Sequence, residues 1–114
     1  MAQRTDQPMV DDEMQNCIQD CLNCHTVCLD TAMSMMQKSD KADHTRLLLD
    51  CAEICLTSAH FMLRNSPFHG NTCQVCATIC EHCAEMCFLE GENDCGNACQ
   101  ACAVSCQQMV KIVA

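Results

Sequence analysis

The chain has 114 residues, enough for one domain with a modest core. Fifteen acidic residues against six basic ones leave a net charge of −9, which argues against nucleic acid and anionic membranes as partners and serves solubility. With no Trp or Tyr, three Phe, three Gly and two Pro, a turn-rich β-sandwich or a loop-rich disulfide knot is disfavoured, and the 15 cysteines are too many by one to pair completely within the chain.

The N-terminal stretch MAQRTDQPMVDDEM lacks the apolar segment of a secretory signal, and no run of eighteen apolar residues occurs, so a cytoplasmic protein without membrane contact is expected. A reducing cytosol keeps thiols free. Residues 1–10 read as a polar lead-in. Asp11 or Asp12 caps a first helix over about 11–37, with an inward seam of Met14, Cys17, Cys21, Cys24, Cys28, Thr31 and Met35. Lys38 to Lys41 form a polar break before a second helix, about 42–64, with the seam His44, Leu48, Cys51, Cys55, Ser58 and Met62.

Asn65-Ser66-Pro67 is the clearest punctuation, with Ser66 as N-cap and Pro67 as first residue of a third helix over about 67–90. Its seam is Cys73, Cys76, Cys80, Cys83 and Cys87, and Gly91 is its C-terminal cap. The fourth helix, about 94–112, carries Cys95, Cys99, Cys102, Cys106 and Met109. Connections this short make neighbours antiparallel. The expected fold is all-α, an up-down-up-down four-helix bundle with a cysteine-lined core spanning residues 11–114.

Every cysteine thus falls on a heptad seam, where a bundle helix ordinarily carries leucine. A single cysteine there is an ordinary core residue. Fifteen are not, because each exchange of a large side chain for a small one costs up to about 2–5 kcal/mol when it leaves a cavity. Metal held by thiolates would fill the tube. Pairs four residues apart, Cys17–Cys21, Cys24–Cys28, Cys51–Cys55, Cys76–Cys80, Cys83–Cys87, Cys95–Cys99 and Cys102–Cys106, place two sulfurs around one ion, and three-apart pairs link them along the helices.

Soft thiolate and thioether ligands favour Cu(I). If each thiolate bridges two ions and each ion takes two thiolates, the load approaches one Cu(I) per cysteine. Each lost proton is then replaced by one positive charge and the core stays neutral. The C-x-x-C pairs Cys21/Cys24, Cys73/Cys76, Cys80/Cys83 and Cys99/Cys102 suit zinc, but they lie in continuous helical series rather than on knuckles. The ferredoxin spacing is absent. Two alternatives remain open: a thiol redox or sensor protein using one C-x-x-C pair, and a structural zinc or iron–sulfur protein.

The run CQVCATICEHCAEMC from Cys73 to Cys87, together with DCAEIC at Asp50–Cys55, resembles the bacterial copper storage proteins, and the likeness extends from Cys17 to Cys106. The absence of an export signal is similar to that family's cytosolic branch. The resemblance implies storage and detoxification of copper without catalysis, and a tetramer of bundles; it identifies no copper donor or acceptor.

His25, His60 and His82 lie off the seams and read as structural. His44 and His69 extend the seams by one step. Met14, Met62, His69 and Met109 fall at one end of an antiparallel bundle and Met35 with His44 at the other, as auxiliary ligands or core filler. The first end, richer in soft donors, is the expected mouth. Ile18, Val27, Leu47, Ile54, Phe61, Ile79, Met86 and Ile112 flank the seams. On the outer face, helix 1 shows Leu22, Leu29 and Met36 and helix 2 shows Leu49, Leu56 and Leu63. The same register reads Gln74, Glu81, Gln100 and Gln107 on the other two. A homo-oligomer through helices 1 and 2 is expected, unless the lead-in folds back over that face.

Overall fold

Four stretches in which cysteines and apolar residues recur every three or four positions form four helices: α1 (Asp12–Met35), α2 (Ala42–Leu63), α3 (His69–Leu89) and α4 (Asn93–Val113). The computed structural model describes residues 12–38 and 40–113; the lead-in at 1–10, Asp11 and the side chain of Ile112 lie outside the described residues. Neighbours in sequence pack together and α4 closes against α1, whereas the diagonal pairs α1–α3 and α2–α4 make no backbone approach. The result is the square, antiparallel, all-α bundle expected from the short connections.

The connections are set by local chemistry. Past the end of α2, Asn65 takes a positive φ of 51°; its N–H donates to the Met62 carbonyl at 3.0 Å and the Ser66 N–H to Phe61 at 2.9 Å. Gly91 repeats this after α3 with φ 79°, where the Glu92 N–H donates to the Cys87 carbonyl at 2.7 Å. Both are paired closures of a helix end through a left-handed residue, which asparagine and glycine adopt at least cost.

Three expectations shift. Regular helix α3 begins at His69 rather than Pro67, because Asn65 and Ser66 are already committed to closing α2. Pro67 and Phe68 form a turn, the Ser66 hydroxyl accepts the Phe68 N–H at 3.1 Å, and helical bonding begins with the Thr72 N–H donating to the Phe68 carbonyl at 3.2 Å. Helix α1 stops at Met35, two residues short of Gln37. On its seam, Thr31 is only half-buried and donates its hydroxyl to the Val27 carbonyl at 2.8 Å, while Ala32 takes the fully buried place. A straight helix drifts against a strict seven-residue repeat, and the residue without a polar group turns inward.

The core is made of sulfur. All fifteen cysteines are at most 1% exposed. Ile18, Met35, Leu48, Met62 and Met109 fill the remaining volume, with Val27, Leu47, Ile54 and Ile79 packed around them. Polar ties hold the outer edges. Lys41 pairs with Glu90 between α2 and α3, the Ser105 hydroxyl donates to Asp20 between α4 and α1, and the Gln107 amide donates to Glu81 between α4 and α3.

Candidate metal centre

The seam spacing on each helix aims the thiols at the bundle axis, and the antiparallel packing stacks them in register. Sulfurs from different helices then meet: Cys28–Cys99 at 3.4 Å, Cys51–Cys80 and Cys21–Cys102 at 3.5 Å, and Cys55–Cys80 and Cys28–Cys95 at 3.6 Å. The chain of contacts continues through Cys17–Cys106 at 3.7 Å and Cys24–Cys51 at 3.8 Å. Cys83 and Cys87 of α3 are fully buried in the same core.

Diagonal helices whose backbones stay apart are bridged by sulfur, Cys51–Cys99 at 3.9 Å and Cys55–Cys102 at 3.8 Å. These cross-helix meetings are what the sequence could not supply. Helical spacing gives pairs along one helix, of which Cys24–Cys28 and Cys76–Cys80 both lie at 3.8 Å. Which thiol faces which across the axis depends on the relative heights of the helices, fixed by the two closures at Asn65 and Gly91.

Compact groups of sulfurs within 4.8 Å of one another draw on three helices at a time. Cys24, Cys51, Cys55 and Cys80 form one; Cys24, Cys28, Cys51 and Cys99 a second; Cys55, Cys76, Cys80 and Cys102 a third; Cys21, Cys76, Cys102 and Cys106 a fourth; Cys17, Cys73 and Cys106 a fifth. Two sulfurs on a three-coordinate ion with bonds of about 2.3 Å sit roughly 4.0 Å apart, and on a linear ion about 4.6 Å. The observed separations need only small side-chain rotations to accept metal. Because groups share Cys24, Cys51, Cys55, Cys76, Cys80, Cys102 and Cys106, each shared sulfur is placed to bridge.

Electrostatics divide the thiols of the metal-free core into a raised majority and a lowered minority. The Cys51 thiol is held well above the ordinary thiol range, first by its hydrogen bond to Cys24, with burial adding to the shift. Cys102 is raised likewise, first through Cys106. Cys24 lies below the range, first through Cys102, and Cys17, Cys76, Cys83 and Cys95 are lowered as well. Ten of the fifteen thiols are raised and hold their protons, so a metal ion must displace those protons to bind.

The flanking donors divide between the two ends. Met62 and Met109 are fully buried and Met14 nearly so, where α1 begins and α2 and α4 end; the Met62 sulfur lies 3.8 Å from Cys73. Half-buried His69 starts α3 at that end. Its Nδ1 donates to the Ser66 carbonyl at 2.7 Å, which fixes the tautomer and leaves a buried Nε2 lone pair without a partner. Met35 and His44 are buried at the opposite end, where neither His44 ring nitrogen has a partner. His60 and His82 are exposed, and half-buried His25 places Nδ1 2.8 Å from the Ala52 carbonyl, joining α1 to α2. A surface groove of about 740 Å³ between α1 and the start of α4 lies on the outer wall and meets the sulfur core at Cys95.

No helix among the described residues is long and apolar enough to cross a membrane. The sequence profile of the copper storage proteins matches residues 3–111. An uncharacterized cysteine-rich protein of Bacillus subtilis, YhjQ, is 33% identical over 80 residues, which is 70% of each chain. The fold superposes on the crystal structure of a protein from Nitrosospira multiformis with a TM-score of 0.84 at 42% identity, covering 90% of this chain and 99% of that one. It also superposes on a histidine-to-alanine variant of Ccsp from Streptomyces lividans, with a TM-score of 0.85 at 26% identity, covering 94% and 100%. Fifteen buried thiols, twelve of them in the overlapping groups above, a four-helix scaffold and a profile match over nearly the whole length agree: the chain belongs to the copper storage protein family.

Proposed function

We propose that the protein stores and sequesters many Cu(I) ions in the cytosol, without catalysis, using all fifteen core cysteines as thiolate ligands. The observation that carries this reading is the unbroken run of sulfur contacts at 3.4 to 3.9 Å through all four helices. A redox or sensor protein needs one exposed, distinctive thiol. Here every thiol is buried and most share partners. A structural zinc site needs one closed group of four, and a core of overlapping groups filled with divalent ions would accumulate positive charge. Cu(I) with bridging thiolates stays neutral, on the order of one ion per cysteine.

Anaerobic titration of the reduced protein with Cu(I) against a chromophoric chelator is the direct test. Uptake of many equivalents is expected, with a proton released for each thiol ionised. Saturation at one or two equivalents would refute storage and favour the redox or zinc readings.

Copper enters at the end bearing Met14, Met62, Met109 and His69, where thioethers bind weakly enough to pass ions inward and the His69 Nε2 lone pair is already oriented by Ser66. Replacing Met14, Met62 and Met109 by Leu, a change that conserves volume, is expected to slow loading several-fold while final capacity stays nearly intact. Unchanged stopped-flow uptake would move the mouth to the His44 end.

A further inference from the structure

On the helix-2 seam two polar side chains are buried without a partner, His44 at the start of the helix and Ser58 beside the cysteines. Ser58 is 0% exposed, and its hydroxyl makes no hydrogen bond. Other helical hydroxyls behave differently: Thr26, Thr31, Thr45 and Thr78 each donate back to the carbonyl four residues earlier, at 2.8 to 3.2 Å. The Ser58 hydroxyl makes no such bond to the Ile54 carbonyl, so it is not serving the backbone.

Its position in the sulfur lattice is specific. On α2 it follows Cys55, whose sulfur lies 3.7 Å from Cys76, and precedes Met62, whose sulfur lies 3.8 Å from Cys73. At this level stand the groups Cys17–Cys73–Cys106 and Cys21–Cys76–Cys102–Cys106, built from α1, α3 and α4 alone. The other groups named above each include Cys51 or Cys55. Between the sulfurs of Cys55 and Met62, α2 presents the Ser58 oxygen at this level.

We propose that Ser58 is a positioning residue for the loaded core, its hydroxyl donating a hydrogen bond to a bridging thiolate of these two groups. This rests on the storage reading above. A neutral hydroxyl is too hard to ligate Cu(I) well. A thiol is a weak acceptor, which explains why the metal-free core leaves the hydroxyl idle. A thiolate accepts a charge-assisted bond, and rotation about the Cys or Ser side-chain torsion supplies the reach. Such donors orient bridging sulfurs and withdraw charge from them, as outer-shell partners do at other metal sites.

The test compares the wild type with Ser58→Ala and Ser58→Cys in chelator competition and in thermal unfolding of the metal-free form. Ser58→Ala is expected to leave metal-free stability equal or higher, since an idle buried hydroxyl is removed, yet to make a fraction of the copper about tenfold easier to extract. Ser58→Cys is expected to bind about one further Cu(I), because the added sulfur joins the adjacent groups. A competition curve for Ser58→Ala that matches wild type, or a drop in its metal-free stability, would overturn the proposal with storage intact. A wild type that takes up only one or two ions would remove the storage reading and this inference together.

Discussion

Loading the reduced protein with Cu(I) is expected to raise its thermal unfolding midpoint by tens of degrees while the far-ultraviolet circular dichroism hardly changes. The metal-free bundle already has a closed core in which Ile18, Leu48, Met35, Met62 and Met109 are at most 1% exposed, and the C-terminal ends of α2 and α3 are closed by backbone hydrogen bonds. Folding therefore does not wait for metal, unlike a zinc finger. Metal adds stability by mass action. A site at a hundred times its Kd contributes about 2.7 kcal/mol, so four such sites supply roughly 10 kcal/mol. At about 4–8 °C per kcal/mol for a domain near this size, that is several tens of degrees. A disordered metal-free chain, or a loaded one melting at the same temperature, would contradict the account.

The fold was readable in advance because one signal repeats four times. A cysteine at every third or fourth residue leaves no ambiguity of period, and Asn65 and Gly91 mark the reversals. What failed did so at points where two local demands compete. Ser66 suits the start of α3, yet its N–H is needed to close α2 on Phe61, so the helix begins later. Thr31 keeps the seven-residue repeat, but its hydroxyl finds Val27 and Ala32 takes the core place.

The site was readable by residue type and face but not by partnership. The sequence names fifteen thiols; it does not say that Cys51 meets Cys99 across the diagonal, or that Cys17, Cys73 and Cys106 stand as a group without α2. Ser58 was visible on the seam only as an exception to the cysteine pattern. Its idle hydroxyl is a property of three-dimensional packing. His69 likewise sat on an extended seam in the sequence, whereas the fixed tautomer follows from the turn at Ser66.

Changing Leu49, Leu56 and Leu63 to Glu is expected to yield monomers in sedimentation while copper capacity is retained. Helices α1 and α2 are neighbours, so their outer faces form one surface. On it Leu29 is 39% exposed, Leu63 54% and Met36 56%, while Leu22, Leu49 and Leu56 are half-buried. The equivalent positions Gln74, Glu81, Gln100 and Gln107 of α3 and α4 are exposed and polar, so the two sides of the bundle differ in character. A two-fold contact would bury the apolar face of each protomer against its copy, and a second use of the surface extends a dimer to a tetramer. Fully burying an exposed leucine contributes about 1.5–3 kcal/mol, so six partly exposed ones across a two-fold contact contribute up to roughly 9 kcal/mol. That matches the whole free energy of a micromolar complex, about 8.2 kcal/mol, and the charges add a desolvation penalty. Because Leu49 also packs against the core, the pair Leu56→Gln and Leu63→Gln serves as the milder variant. Copper capacity should hold in both, since the thiols lie on the opposite side of each helix. An assembly that survives these substitutions would place the contact on α3 and α4, where Val75 and Val104 are about half exposed, at 49% and 52%.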